Sequence, residues 1–376
     1  MYYIIYTEEK QIMKNYLYFI IYLLFNQSIL ISSLFYTKEK QLILLPSVAF
    51  RYHSNVTTLI DNIHPSNDWI LYTQGWYFEE NRFRAKLART ALSTVVNDVN
   101  KKRVAYFTGS GKKYESLCLN GLSLDLCVKT NAYGLLKKQF RLSNNDVQRF
   151  RISDGHIEYF ISTINRDIRT KGEIFLCDDN GISIISDIDD TIKITGVTSV
   201  RSILRNTFSG KYKSIPGMSE RYQHYKLIYN ATFHYLTASP DQLYPFLREF
   251  LDYEQFPLGS YHMRHFSWFD INFFKFFQSK SFIKQKTHIL HMFFTQTHSR
   301  KYILFGDIFQ KDPEIYANIY QQYPDRILHI FIRVSQLNLS NRLKQVFQHI
   351  PKTKWNIFVN GYDLPLNISS QLYSHK

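Results

Sequence analysis

The segment Asp187-Ile188-Asp189-Asp190-Thr191 places three carboxylates within four positions, directly behind the apolar run Ile182–Ser186. Carboxylates so close together repel one another, and burying them is costly unless a cation compensates. A hard divalent metal with oxygen ligands is the natural compensation. A calcium loop does not fit, because Ile192 stands where it needs Gly and Thr198 where it needs Glu. In extended backbone, residues two apart point the same way, so Asp187 and Asp189 can face one phosphate. One carboxylate can attack phosphorus and form an aspartyl-phosphate. The other can protonate the leaving oxygen and then take a proton from the hydrolytic water.

Three more places carry residue types suited to this chemistry. Phe233–Thr237 reads as a strand ending in Thr237-Ala238-Ser239. Thr237 is assigned to a phosphate oxygen, and Ser239, ahead of Pro240 and Gln242, chiefly to a helix N-cap. Lys286 falls in the middle of an apolar helical stripe with Phe282, Ile283, Ile289, Leu290 and Phe293, whereas Lys284 falls among polar positions. A buried ammonium needs an anionic partner, which the phosphate and the aspartates supply. Tyr302–Gly306 leads to Asp307, a second metal carboxylate, and to Asp312, for which a helix N-cap before Pro313 is the rival role. His262 and His265, like His288 and His291, lack a third metal ligand and read as solvent-facing. No P-loop and no nucleophile elbow is present.

These residues must be held by an α/β frame. After Gly172, apolar strands alternate with amphipathic helices: Ile182–Ser186, Phe233–Thr237, Tyr302–Gly306 and Ile327–Ile332 are the strands of a parallel sheet. In such sheets chemistry collects at the carboxyl ends of the strands. Ahead of it, residues 37–171 show short β-like runs such as Trp69–Tyr72, Arg103–Phe107 and Leu135–Leu142, which predict a β-rich accessory domain. The divisions expected are therefore 1–36, 37–171, a catalytic unit over 172–340, and a closing element over 341–376 that includes Trp355–Val359.

The chain has 376 residues and a net charge of +15, which calls for an anionic partner. No nucleic-acid-binding signature accompanies that charge, so nucleic acid is not expected, and an anionic membrane or a phosphorylated substrate fits. Cys118, Cys127 and Cys177 form no metal-binding pattern; a Cys118–Cys127 bridge and three buried thiols are equally open. Tyr16–Tyr36 is apolar enough for a signal peptide or membrane anchor, which predicts membrane association or the secretory pathway, with an ordinary buried helix as the alternative.

Asp187–Thr191, Thr237, Lys286 and the Gly306–Asp312 segment together resemble the four ordered motifs of the haloacid dehalogenase superfamily. The longer strings GISIISDIDDTIKITGV, FHYLTASPDQLYPFLREFL and FGDIFQKDPEIYANIY resemble the catalytic domain of the actin-patch-type phosphatidate phosphatases, over about Gly172 to Arg333. The resemblance implies a Rossmann-like parallel sheet and Mg²⁺-dependent removal of phosphate from phosphatidate or a related anionic phospholipid. In it, Asp187 matches the nucleophile and Asp189 the acid/base. Thr191, Thr237 and Lys286 surround the phosphate, and Asp187, Asp189, Asp307 and Asp312 are the metal carboxylates. The family usually has Ser-Gly where this chain has Ile308-Phe309. The stretch between Thr191 and Phe233 is too short for a large cap, and its Arg201, Arg205, Lys211 and Lys213 are candidates for contact with a membrane surface. A soluble phosphomonoester or phosphoprotein as substrate, and a catalytically silent membrane-binding module, are the alternatives.

Overall fold

A computed structural model describes residues 39–51, 68–122, 126–152, 155–266, 279–336 and 341–368. The apolar stretch Tyr16–Tyr36 lies outside the described residues. Among those described, no helix is long and apolar enough to cross a membrane.

The β-rich half is one curled sheet of eight strands: β1 (Lys40–Arg51), β2 (Trp69–Glu79), β3 (Ser110–Gly111), β4 (Ser116–Asn120), β5 (Leu126–Lys129), β6 (Leu135–Leu142), β7 (His156–Thr163) and β8 (Arg169–Cys177). Their order is β3-β2-β1-β8-β7-β4-β5, with β6 also on β2. Side chains alternate across each strand, and β1 uses both faces. Leu42 and Leu44 enter the core of this half, while Ile43 and Leu45 enter a core shared with the rest of the molecule. Cys118 and Cys127 stand opposite one another on β4 and β5 and are joined by a disulfide; Cys177 is a buried free thiol.

Two segments differ from the sequence-based expectation. Arg103–Phe107 is not a strand. It lies in helix α2 (Lys101–Phe107), which follows α1 (Arg82–Ser93) and is started by the Asn100 side chain accepting from the Arg103 amide. Gly172 does not begin a new unit either, because β8 pairs with β1 and β7 and runs on to Cys177. A Cβ at Gly172 would meet the Tyr159 ring at 2.3 Å, so this glycine serves strand packing. The short helix α3 (Asn144–Phe150) completes this half.

The second sheet contains β9 (Ile182–Ser186), β10 (Thr232–Pro240), β11 (Gly259–Arg264), β12 (Lys301–Asp307), β13 (Ile327–Arg333) and β14 (Trp355–Phe358). All pairings are parallel, in the order β11-β10-β9-β12-β13-β14. Trp355–Phe358, within the expected closing element, is thus the edge strand of this sheet. Numbered within the sheet, the order is 3-2-1-4-5-6, the doubly wound order, and it reverses between β9 and β12.

Helices cover both faces. Ile184, Ile303 and Phe305 pack against α5 (Met218–Tyr229) and α6 (Tyr244–Tyr253); Ile185, Tyr302 and Leu304 pack against α7 (Ser279–Gln296) and α8 (Asp312–Gln322). Of the other helices among the described residues, α4 (Val200–Phe208) and α9 (Asn341–Val346) lie in connections. Phe305 is fully buried and stacks on Phe331 with ring centres 4.8 Å apart. Truncating it to Ala would cost about 3–5 kcal/mol.

Candidate active site

The strand order reverses between β9 and β12, and the acids lie at the carboxyl ends of these two strands, where a doubly wound sheet places its ligands. The Asp187 amide donates to the Phe305 carbonyl at 2.9 Å, so the residue leaving β9 is still tied to β12. On β12, Gly306 lets Asp312 approach closely, since a Cβ there would meet the Asp312 carboxylate at 2.7 Å. Lys286 reaches in from α7, whose Leu290 and Phe293 are core residues, while Lys284 is exposed.

Lys286 Nζ donates to Asp187 Oδ1 at 2.8 Å and to Asp312 Oδ1 at 2.6 Å, and none of the three side chains touches solvent. Thr191 Oγ1 donates to the other Asp187 oxygen at 3.1 Å. Asp312 Oδ2 accepts from the Asp307 amide at 3.2 Å, and Asp307 Oδ1 from the Gln310 amide at 2.8 Å. Asp307 Oδ2 is buried without a hydrogen-bond partner.

Asp187, Asp307 and Asp312 each offer an oxygen, all within 4.8 Å of one another. Burial pushes the Asp187 carboxyl up to about 8, Lys286 pulling against it and Asp312 and Asp189 adding repulsion. Burial and repulsion from Asp312 and Asp187 raise Asp307 well above the carboxylate range. Three buried carboxylates share one ammonium, and one of their oxygens has no donor. This all-oxygen set fits a hard divalent cation, which would restore the charge balance.

The Asp189 side chain, expected among the metal carboxylates, does not join this group. It is held by Lys193 Nζ at 2.8 Å and Thr195 Oγ1 at 2.7 Å on one oxygen, and by Thr237 Oγ1 at 2.9 Å and Ser239 Oγ at 2.6 Å on the other. Burial opposes its ionisation, but Lys193 and the hydroxyl donors prevail and hold it below the usual carboxylate range. Thr237 therefore lies on Asp189, as does Ser239. The expected Ser239 cap is not formed, because β10 continues through Pro240 and a 3₁₀ turn over Asp241–Leu243 leads into α6.

Asp190 holds the loop rather than a ligand. Its carboxylate accepts from the amides of Thr195, Gly196 and Val197 at 2.7–2.9 Å, and its φ of 56° is one that Asp tolerates better than most residues. Arg333 Nη1 donates to the Asp190 carbonyl at 2.9 Å. The roles of Lys193, Thr195, Asp190 and Arg333 escape a reading by strand ends, because they depend on how the chain turns after Thr191. The only trace in the sequence is a basic residue four positions after Asp189.

His262 is buried rather than solvent-facing, and His265 lies 3.0 Å from Asp241; His288 is exposed. In the β-rich half, His156, Glu158 and Glu173 form a second group, in which Glu158 is paired with Lys171 and Glu173 with Arg248, each at 2.5 Å. Ile308 is half-buried against the core on the α8 side, and its amide donates to the Arg333 carbonyl at 3.0 Å. Arg201, Arg205, Lys211 and Lys213 are all exposed.

Residues 182–334, which carry Asp187, Asp189, Asp190, Asp307 and Asp312, match the family described as phosphatidate phosphatase APP1, catalytic domain. The chain is 34% identical to an uncharacterised protein of Schizosaccharomyces pombe over 193 residues, 48% of this chain and 31% of that protein. It is also 34% identical to phosphatidate phosphatase APP1 of Saccharomyces cerevisiae over 164 residues, 43% of this chain and 27% of that protein. The matches thus cover under a third of the length of either relative.

Proposed function

We propose that this chain, whose residues 182–334 match the phosphatidate phosphatase APP1 catalytic domain, is a Mg²⁺-dependent phosphatidate phosphatase with a haloacid-dehalogenase-like catalytic unit. The observation that carries this reading is the buried group of Asp187, Asp307, Asp312 and Lys286 at the strand-order reversal.

In this reading Asp187 Oδ attacks phosphorus, the bond from phosphorus to the glyceryl oxygen breaks, and Asp189 supplies the proton that the departing oxygen takes. Water then attacks the aspartyl-phosphate, Asp189 removes its proton, and inorganic phosphate leaves. Asp189 is ionised in the free chain, and an incoming phosphate dianion raises its proton affinity by like-charge repulsion. Lys286 and Thr191 fix the direction of the Asp187 carboxylate, and the hydroxyls of Thr237 and Ser239 are donors available to phosphate oxygens. Asp187, Asp307 and Asp312 would hold Mg²⁺, which neutralises charge on the phosphoryl group when bound.

A lipid substrate suits the surroundings. Residues 192–217 contain five Lys or Arg and no Asp or Glu, and Arg201, Arg205, Lys211 and Lys213 are exposed. Each such cation near an anionic bilayer contributes about 1 kcal/mol of attraction, and we assign membrane association on that basis. The test is phosphate release from phosphatidate in mixed micelles with Mg²⁺ and with a chelator. Release that needs Mg²⁺ and disappears in Asp187→Asn is expected. A wild-type chain that releases none, or that prefers small soluble esters to lipid, would overturn the lipid assignment.

A further inference from the structure

Asp189 is fastened from outside the parallel sheet as well as from within it. Lys193, which holds Asp189 Oδ1 at 2.8 Å, is itself buried, and its ammonium lies 4.9 Å from the centre of the Tyr212 ring. The guanidinium of Arg103 lies 3.9 Å from the centre of that same ring. Arg103 belongs to α2, in the β-rich half, and its Nη1 donates to the carbonyls of Thr207 and Ser209 at 3.1 and 3.4 Å, at the end of α4. The same join is closed by the Asn100 amide on the Phe208 carbonyl at 2.7 Å and by the Ser209 hydroxyl on the Asn97 carbonyl at 2.6 Å.

Two buried cations therefore share one aromatic ring, and one of them ends on the proton-handling carboxylate. The negative face of an aromatic ring attracts a cation strongly once water is excluded. For stability alone, well-packed apolar side chains would serve as well as a buried ion pair. An ion pair with an aromatic brace also constrains where the carboxylate sits.

We propose that Lys193 is a positioning residue for Asp189, and that Tyr212 and Arg103 brace it across the join, making the β-rich half a working part of the active site. This rests on Asp189 being the acid/base of the proposed phosphatase. Displacing a reacting group by an ångström costs up to about 100-fold in rate, and losing the brace displaces it by less.

The experiment uses the full chain. Phosphate release from phosphatidate in mixed micelles is measured over a range of substrate for wild type, Tyr212→Leu, Tyr212→Phe and Lys193→Gln, alongside Mn²⁺ binding by calorimetry. Tyr212→Leu and Lys193→Gln are expected to lower kcat by about 10-fold, with KM changed by less than about twofold and Mn²⁺ affinity retained. Tyr212→Phe keeps the ring and is expected to recover most of the loss. A Tyr212→Leu chain that turns over like wild type, or a Tyr212→Phe chain as slow as Tyr212→Leu, overturns the brace. If Tyr212→Leu no longer binds Mn²⁺, Lys193→Gln decides the matter by the same kcat and KM split. A wild type without turnover overturns the phosphatase reading itself, and the brace with it.

Discussion

Lys286 and Asp187 stand 99 residues apart in the chain and 2.8 Å apart in space, and neither side chain is exposed to solvent. Their ion pair joins α7 to the end of β9 and also engages Asp312. Removing the lysine leaves buried negative charge without a partner. Lys286→Met is expected to lower stability by about 3–5 kcal/mol and to abolish turnover. Urea denaturation with a chelator present checks the first, and unchanged stability would mean the carboxylates are protonated without it.

The repulsion within the acid group predicts opposite effects of one substitution under two conditions. Asp307→Asn removes a charge that burial disfavours, so in a chelator the variant is expected to melt at a higher temperature than wild type. It also removes a ligand, so the rise in melting temperature that Mg²⁺ gives the wild type should shrink or vanish. Melting curves with and without Mg²⁺ test both. An equal Mg²⁺-induced rise in the two proteins would remove Asp307 from the metal site.

Histidines outside the site contribute a loss of stability on mild acidification, set against the gain from Asp187 and Asp307, whose raised carboxyls take up protons on folding. Burial lowers His262 to about 3 and His329 to about 4, and takes His234 well below its ordinary value of 6.5. Below pH 6.5 the unfolded chain binds protons that the folded chain refuses. The stability present above that pH is therefore lost as pH falls toward the folded values, by up to about 1.4 kcal/mol per pH unit for each histidine. His234 and His262 hydrogen-bond the same hydroxyl, Ser260 Oγ, at 2.7 and 2.9 Å. Denaturation curves of wild type and His262→Gln at pH 7, 6 and 5 isolate the histidine contribution: between pH 7 and pH 5 the wild type is expected to lose stability relative to the variant.

Asp190 is expected to matter through the loop it ties down. Asp190→Ala loses three amide hydrogen bonds and places a residue with no side-chain acceptor at positive φ. Faster proteolytic cleavage within residues 194–214 and a lower kcat are expected, and Asp190→Asn should be intermediate because it keeps one acceptor oxygen. Cleavage of Asp190→Ala at the wild-type rate would show that the loop is held by other contacts, such as Asn206 Nδ2 on the Thr195 carbonyl at 2.8 Å.

The disulfide is tested by counting thiols. In denaturant without reductant one thiol, Cys177, is expected to react, and after reduction all three cysteines. Three reactive thiols before reduction would exclude the bridge.

Much of the site could be read without coordinates. Residues at strand ends face a known place in a parallel sheet, so Asp187 and Asp307 followed from apolar runs alone, and Lys286 was separated from Lys284 by helical periodicity. The cap expected at Ser239 is missing for a physical reason: β10 stays extended through Pro240, so the following turn starts beyond Ser239, whose hydroxyl donates to the Asp189 carboxylate instead. Arg103–Phe107 is helical although a short apolar run suits a strand and a helix equally, because the Asn100 cap starts a helix there.

By itself, the sequence determined the alternation of strands and helices, the acids at the strand ends and the lysine on a buried face. These are local matters of side-chain periodicity and chain direction. Only the tertiary structure decided the partition of the acids. Asp187, Asp307 and Asp312 gather around Lys286, while Asp189, two residues from Asp187, turns to Lys193, Thr195, Thr237 and Ser239. That partition depends on a tight turn after Thr191 and on Arg103 and Tyr212 meeting across two halves of the molecule. Contacts between residues so distant in the chain leave no periodic trace in it.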